Sequence, residues 1–236
     1  MKKVLTIAAK EFQGYFFNPI GYVFLGIMLM LACWVFWGDV FVAGNADIKP
    51  LFQTLTYLFS VFIPAITMGW IADEKKSGTW EVLITNPVNI KMILWGKMLA
   101  GMGFLLVSLL LTTPTLLSLL YLGKMDIGVV FSGYVGLFLL GSTYLAIGLW
   151  ISSLTKHPAV AFIGTTIVLV LNSLMSQEMV LSKIPYFLAR VFEQLSLNDK
   201  MTPFYNGEIG LNTTVYLVST IVLFTWLAQR TNEKNN

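Results

Sequence analysis

The chain has 236 residues, 56% of them hydrophobic and 11% charged, against roughly 25% charged in an average soluble domain; this excludes a water-facing surface and assigns the chain to a bilayer. A net charge of +3 is too small to imply nucleic acid as a partner. The single cysteine, Cys33, excludes an intrachain disulfide and a thiolate zinc cluster.

Residues 1–18 imitate a secretory signal, with Lys2 and Lys3 ahead of an apolar run. That run, residues 4–9, is shorter than the roughly 7 to 15 residues a signal needs and closes on Lys10 and Glu11. At 100° per residue Leu5, Ala8, Ala9, Phe12 and Phe16 share one face, with Lys3, Thr6, Lys10 and Gln13 opposite. This predicts an interfacial helix lying flat on the membrane, with Leu5, Phe12 and Phe16 toward the lipid. Asn18-Pro19 marks the corner that follows.

Six stretches are then long enough to cross, at residues 20–42, 51–72, 97–121, 129–154, 158–178 and 212–229. The fold class is therefore all-α and polytopic, with the whole chain as one transmembrane domain. Pro64 is expected to kink the second span. Ten of the 15 Lys and Arg fall on the side that holds both termini and the loop after the second span, and five on the other. The rule that positive loops stay inside puts that loop and both termini in the cytoplasm. In the fourth span Ser142 and Ala146, then Gly148 and Ser152, have the small-xxx-small spacing at which helices approach closely.

Two segments lie outside the spans. Residues 181–211 are too polar to cross and too apolar for a plain linker, and Ile184, Leu188, Val191 and Leu195 form a helical stripe. One or two short helices dipping into the outer face are expected there. Charge concentrates in the other segment, ADEKKSGTWEVLITNPV, residues 72–88. Trp80, Leu83 and Ile84 fall at i, i+3 and i+4, which predicts a short amphipathic helix over 78–85, with Asp73, Glu74, Lys75 and Lys76 at its root. Asn86-Pro87 ends it, since proline disfavours helical geometry in the residue before it. So short a helix needs a partner. A groove on another protein and a bed of lipid headgroups both satisfy that requirement.

Several chemistries find no support. A P-loop needs GxxxxGK[ST], whereas Gly96-Lys97 and Gly123-Lys124 are each followed by methionine. The one histidine, His157, precedes Pro158 in a turn with no carboxylate nearby in sequence, so no catalytic dyad and no metal site is expected. An ion-coupled secondary transporter usually places ionisable groups inside its spans. The third to sixth spans hold none in their interiors, which points to an energy source outside the chain.

The run Pro64-Ala65-Ile66-Thr67-Met68, with Asp73-Glu74-Lys75, Gly78-Thr79, Glu81-Val82-Leu83, Pro87-Val88 and Gly96-Lys97, resembles the signature of ABC-2 type permeases. Asn18-Pro19-Ile20-Gly21-Tyr22, residues 134–140 leading to Ala146-Ile147-Gly148, Ser153 to Lys156 with Ala161-Phe162, and Thr202-Pro203-Phe204 with Gly207 resemble the gliding-motility-associated branch, related to permeases of nitrous-oxide-reductase maturation. The resemblance implies six spans, a coupling helix between the second and third, and short re-entrant helices before the sixth. It also implies a bacterial inner-membrane protein that pairs with a second permease. A separate ABC-type ATPase would bind ATP and Mg, and this chain would bind no cofactor itself. By the same implication Trp80, Leu83 and Ile84 fill a cleft on the ATPase, and Gly78, Thr79, Glu81, Asp73, Glu74, Lys75 and Lys76 orient the helix. Relatives commonly carry Met-Arg where this chain has Met68-Gly69.

Overall fold

The computed structural model describes residues 2–44, 47–80, 89–122, 126–175, 187 and 194–234. Helices dominate them: α1 Lys2–Phe17, α2 Pro19–Ala43, α3 Lys49–Thr67, α4 Gly69–Lys76, α5 Ile90–Leu110, α6 Thr113–Leu122, α7 Ile127–Leu154, α8 Pro158–Leu174, α9 Thr202–Tyr205 and α10 Leu211–Lys234. Among the described residues five apolar stretches are long enough to cross a membrane, Gly21–Val42, Lys49–Lys76, Ile90–Leu119, Ile127–Leu154 and Leu211–Glu233. The sequence expects a sixth at 158–178; of it, α8 supplies 17 described residues, and 176–178 lie outside the described residues.

Helix α7 is the hub. It packs against α3, α4, α5, α8, α9 and α10, and its middle, from Leu140 to Leu149, is buried. A Cβ on Gly148 would lie 2.7 Å from the Thr67 Cβ, so the second small pair of the fourth span marks a crossing with α3. Ser152, one turn on, completes that crossing chemically. The second span stays helical through Pro64 and breaks at Met68, whose own N–H still bonds the Pro64 carbonyl at 2.9 Å. The Ser152 hydroxyl fills the break: it accepts from the N–H groups of Ile71 and Ala72, both at 3.2 Å, and donates to the Met68 carbonyl at 3.0 Å. In hydrocarbon these backbone groups have no water to turn to, so a neighbouring hydroxyl is what makes the break tolerable.

The third span differs from expectation at both ends. It begins at Ile90, where Asn89 caps the helix by accepting from the Lys91 N–H at 3.1 Å, and it is interrupted at Leu111 and Thr112. Pro114 starts the new helix there, and Thr112 shares a 2.8 Å hydrogen bond with the Tyr134 hydroxyl.

At the end of the bundle away from α4, the segment after residue 193 is tied down by side chains. Asn172 of α8 donates to the Leu195 carbonyl at 3.1 Å and accepts from the Leu197 N–H at 3.0 Å. Tyr144 of α7 donates to Asn198 at 3.0 Å. Much of the expected re-entrant stripe, at 184, 188 and 191, lies outside the described residues.

Candidate functional site

Charge gathers where α1, α4 and α5 meet. The Lys97 ammonium, on the second turn of α5, lies 2.8 Å from Glu74 of α4 and 3.0 Å from Glu11 of α1. The lysine side chain is 5% exposed, against 30% for Glu11 and 19% for Glu74, so the cation sits at the dry centre and the carboxylates at its rim. Beside it the Trp70 indole donates to the Tyr15 hydroxyl at 2.6 Å. Burial pushes that phenol well above its ordinary pKa, the Trp70 bond opposing the shift, so Tyr15 remains a neutral acceptor.

The backbone permits this approach. A Cβ on Gly96 would lie 2.6 Å from the Ile7 side chain and 3.5 Å from the Ala8 backbone nitrogen, so only glycine lets α1 lie this close to α5. The face of α1 turned to the protein carries Val4, Ile7, Ala8, Glu11, Phe12 and Tyr15. Leu5, expected on the same face as Ala8 and Phe12, is 61% exposed. The inward stripe is thus rotated from the most apolar face, because it is fixed by the Lys97 partner and by the gap above Gly96.

A second contact joins α4 to the hub. Lys75 donates to the Ser153 carbonyl in the last turn of α7, where the helix dipole favours a cation. Helix α4 then stops: Ser77 donates to the Asp73 carbonyl at 2.8 Å, and Gly78 follows at φ 74°, the left-handed geometry that favours glycine after a helix end. Thr79 shares a 2.8 Å hydrogen bond with Ser77.

The residues expected to dock a partner therefore divide. Asp73, Lys76, Gly78 and Thr79 are exposed. Glu74 and Lys75 are half-buried and committed to Lys97 and Ser153. Trp80 is buried in the chain's own core, with the Lys75 ammonium 5.9 Å from its ring centre. Glu81, Leu83 and Ile84 lie outside the described residues. Sequence reasoning missed Glu11, Tyr15, Trp70 and Lys97 as parts of one site. The Asn89 cap was the available signal, since a helix starting at residue 90 places Lys97 two turns inside it.

A cleft of about 470 Å³ opens against this joint, with Lys10, Asn18, Asp73 and Gly69 among its lining residues. Among the described residues no group of His, Cys, Asp or Glu is arranged to hold a metal ion. The arrangement is mechanical in kind: one buried cation fastens the first helix, the root of the 81–88 segment and the third span together.

Comparison with curated proteins gave no match. The profile of the ABC-2 family of transporter proteins matches residues 5–224. That match spans nearly the whole chain, charged joint included, and the chain belongs to the ABC-2 transporter family.

Proposed function

We propose that this protein is the permease subunit of an ATP-driven exporter or flippase of the bacterial cytoplasmic membrane, working as a pair of permeases with a separate ATPase. ABC-2 permeases are membrane subunits of ABC transporters, typically non-catalytic, and generally work with an ABC ATPase. On its Asn18–Tyr22 and 134–140 motifs we place the chain in the gliding-motility-associated branch. Both termini and the 78–85 coupling helix face the cytoplasm, and α8 completes a sixth span. The first, second and fifth spans line a route for an apolar or lipid-linked substrate.

The observation that carries this reading is the Lys97 joint at the root of the coupling segment. A partner that moves residues 81–85 moves Trp80 and α4, and Lys97 and Lys75 pass that displacement to α1, α5 and α7. Nucleotide-driven closure of the ATPases then shifts the pair between inward-open and outward-open states. Leu83 and Ile84 are the teeth offered to the ATPase cleft, and the buried Trp80 anchors their base. Asp73, Lys76, Gly78, Thr79 and Glu81 orient the contact.

Co-expression of the permease with an ABC-type ATPase from the same genome tests the reading. Leu83→Asp is expected to abolish co-purification while the permease still inserts at normal levels. Unchanged assembly, or transport that collapses with a proton uncoupler at constant ATP, overturns it.

A further inference from the structure

The break in the second span is held from outside, by a single hydroxyl of another helix. In an unbroken helix the Ile71 N–H donates to the Thr67 carbonyl and the Ala72 N–H to the Met68 carbonyl, each four residues back. Both donate instead to the Ser152 hydroxyl, which in turn donates to the Met68 carbonyl. A side chain of α7 thus stands inside the hydrogen-bond ladder of its neighbour, between the Ala72 donor and the Met68 acceptor. Insertion of this kind opens helices. Proline acts elsewhere: Pro64 lacks the N–H that would bond Ser60, upstream, whereas the ladder opens downstream of it.

Two successive turns of α7 hold the two sides of the break in different ways. Gly148 pins the end of α3 by shape, since a Cβ there would lie 2.7 Å from the Thr67 Cβ. Thr67 spends its hydroxyl upstream, on the Ile63 and Pro64 carbonyls at 3.1 and 3.3 Å, and takes no part in the break. One turn further along α7, α4 is joined to it by hydrogen bonds, through Ser152 and through the Lys75 contact with the Ser153 carbonyl. Ile71, Ala72 and Ser152 are all 0% exposed, so water does not serve the groups at the break. They have two ways to be satisfied, the inserted hydroxyl or the closed ladder. In the closed form Ser152 turns to its own i−4 carbonyl, that of Gly148. A segment that keeps its hydrogen bonds in both of two arrangements is a two-state element, which is what coupling between distant sites requires.

We infer that Ser152 is a positioning residue, the catch of a hinge in the second span. With its hydroxyl inserted the span is open at Met68; with the hydroxyl withdrawn onto Gly148, α3 and α4 close into one helix while α3 stays pinned. A change of about 20°, the size of a sharp kink, moves the far end of the eight-residue α4, about 12 Å away, by about 4 Å. That displacement goes directly to Glu74, Lys75 and the Trp80 anchor. As a step in transport this rests on the permease reading above, but the hinge is measurable on the permease alone.

The test uses the full-length permease in phosphatidylcholine nanodiscs, in a Cys33→Ser background. Nitroxides are placed at Lys76→Cys, on the exposed end of α4, and at Glu233→Cys, on the exposed end of α10, which packs on α7. Double electron–electron resonance reads the distance between them. Ser152→Ala removes the bridging hydroxyl and should shift the mean distance by up to about 4 Å, while amide exchange at Ile71 and Ala72 stays as slow as in the parent because the ladder has closed. Gly69→Ala should move the distribution in the same direction, since alanine favours continuous helix about fivefold over glycine, and its methyl meets only the end of the Asp73 side chain. Ser152→Thr keeps the hydroxyl and should hold the parent distance. An unchanged distance in Ser152→Ala, a shift accompanied by fast exchange at Ile71 and Ala72, or an equal shift in Ser152→Thr overturns the hinge. Should Ser152→Ala not insert, Gly69→Ala decides, and an unmoved distribution there overturns it. Addition of the ATPase with a non-hydrolysable nucleotide should carry the parent to the Ser152→Ala distance, and no movement overturns the part of Ser152 in transport. ATPase co-purification is read apart from all of these distances, so the two readings fall separately.

Discussion

Lys97 is a primary amine held almost dry between two carboxylates, a geometry that costs several kcal/mol in desolvation for each ion before any attraction is counted. Its contribution is therefore specificity of placement more than net stability. Removing the cation alone leaves Glu11 and Glu74 facing each other, and breaking a buried pair in this way costs roughly 3–5 kcal/mol. Partial exposure of Glu11 puts the expected value at the lower end. Lys97→Met should lower the thermal unfolding midpoint of the detergent-solubilised permease, followed by fluorescence-detected size exclusion. The triple variant Lys97→Met/Glu11→Gln/Glu74→Gln should recover most of that loss, because neutral side chains leave no uncompensated charge. Equal destabilisation by the single and triple variants would mean that Lys97 acts through its packing alone. Stability is the wrong readout for coupling, however, and the triple variant should still uncouple ATP hydrolysis from transport.

Among the elements, α1 is the one whose placement was least legible. Hydropathy finds helices in this chain because a span is a matter of composition over about 20 residues, and the corner at Asn18-Pro19 and the crossing at Gly148 and Ser152 follow from local chemistry. The inward face of α1 does not. In water the most apolar face turns inward, but beside a membrane it can equally well face lipid, so Leu5 is exposed while Glu11 and Tyr15 turn toward α5. Periodicity alone has no means of choosing. Pro114 signals the interruption at Leu111 and Thr112, but the apolar run continues through it, so hydropathy sees one unbroken span. Docking of α1 depends on the missing side chain at Gly96. Gly96→Leu pushes into Ile7 and the Ala8 backbone, an overpacking of about 1–3 kcal/mol. Amide hydrogen exchange across residues 4–15 should rise while exchange in the α7 core stays slow. Unaltered protection of α1 would show that α5 is not what holds it.

For the whole molecule, the two ends of the bundle are chemically unlike, with a buried, ion-paired lysine at one and exposed carboxylates, Asp47, Asp126 and Glu208, at the other, and the question is which end faces which compartment. The chain path sets the logic. Lys75 touches Ser153 at the end of α7, and α8 starts a few residues later at Pro158, beside the charged joint. By Asn172 it has reached the segment at 195–197, which Asn198 ties to Tyr144 in the middle of α7. Seventeen residues of helix rise about 25 Å, which is short for a bilayer core of about 30 Å and well short of the roughly 42 Å of the 28-residue α7. Lys76 and Glu208 are both exposed and are separated by α5 with α6, by α7 and by α8. Three crossings put them on opposite sides of the membrane; two, with α8 failing to cross, put them on the same side. In a Cys33→Ser background, Lys76→Cys should react with a membrane-impermeant maleimide only in inverted vesicles, and Glu208→Cys only in intact spheroplasts. Reaction of both from one side would remove α8 from the count of spans, and reaction with the two sides exchanged would turn the coupling segment away from any cytoplasmic ATPase.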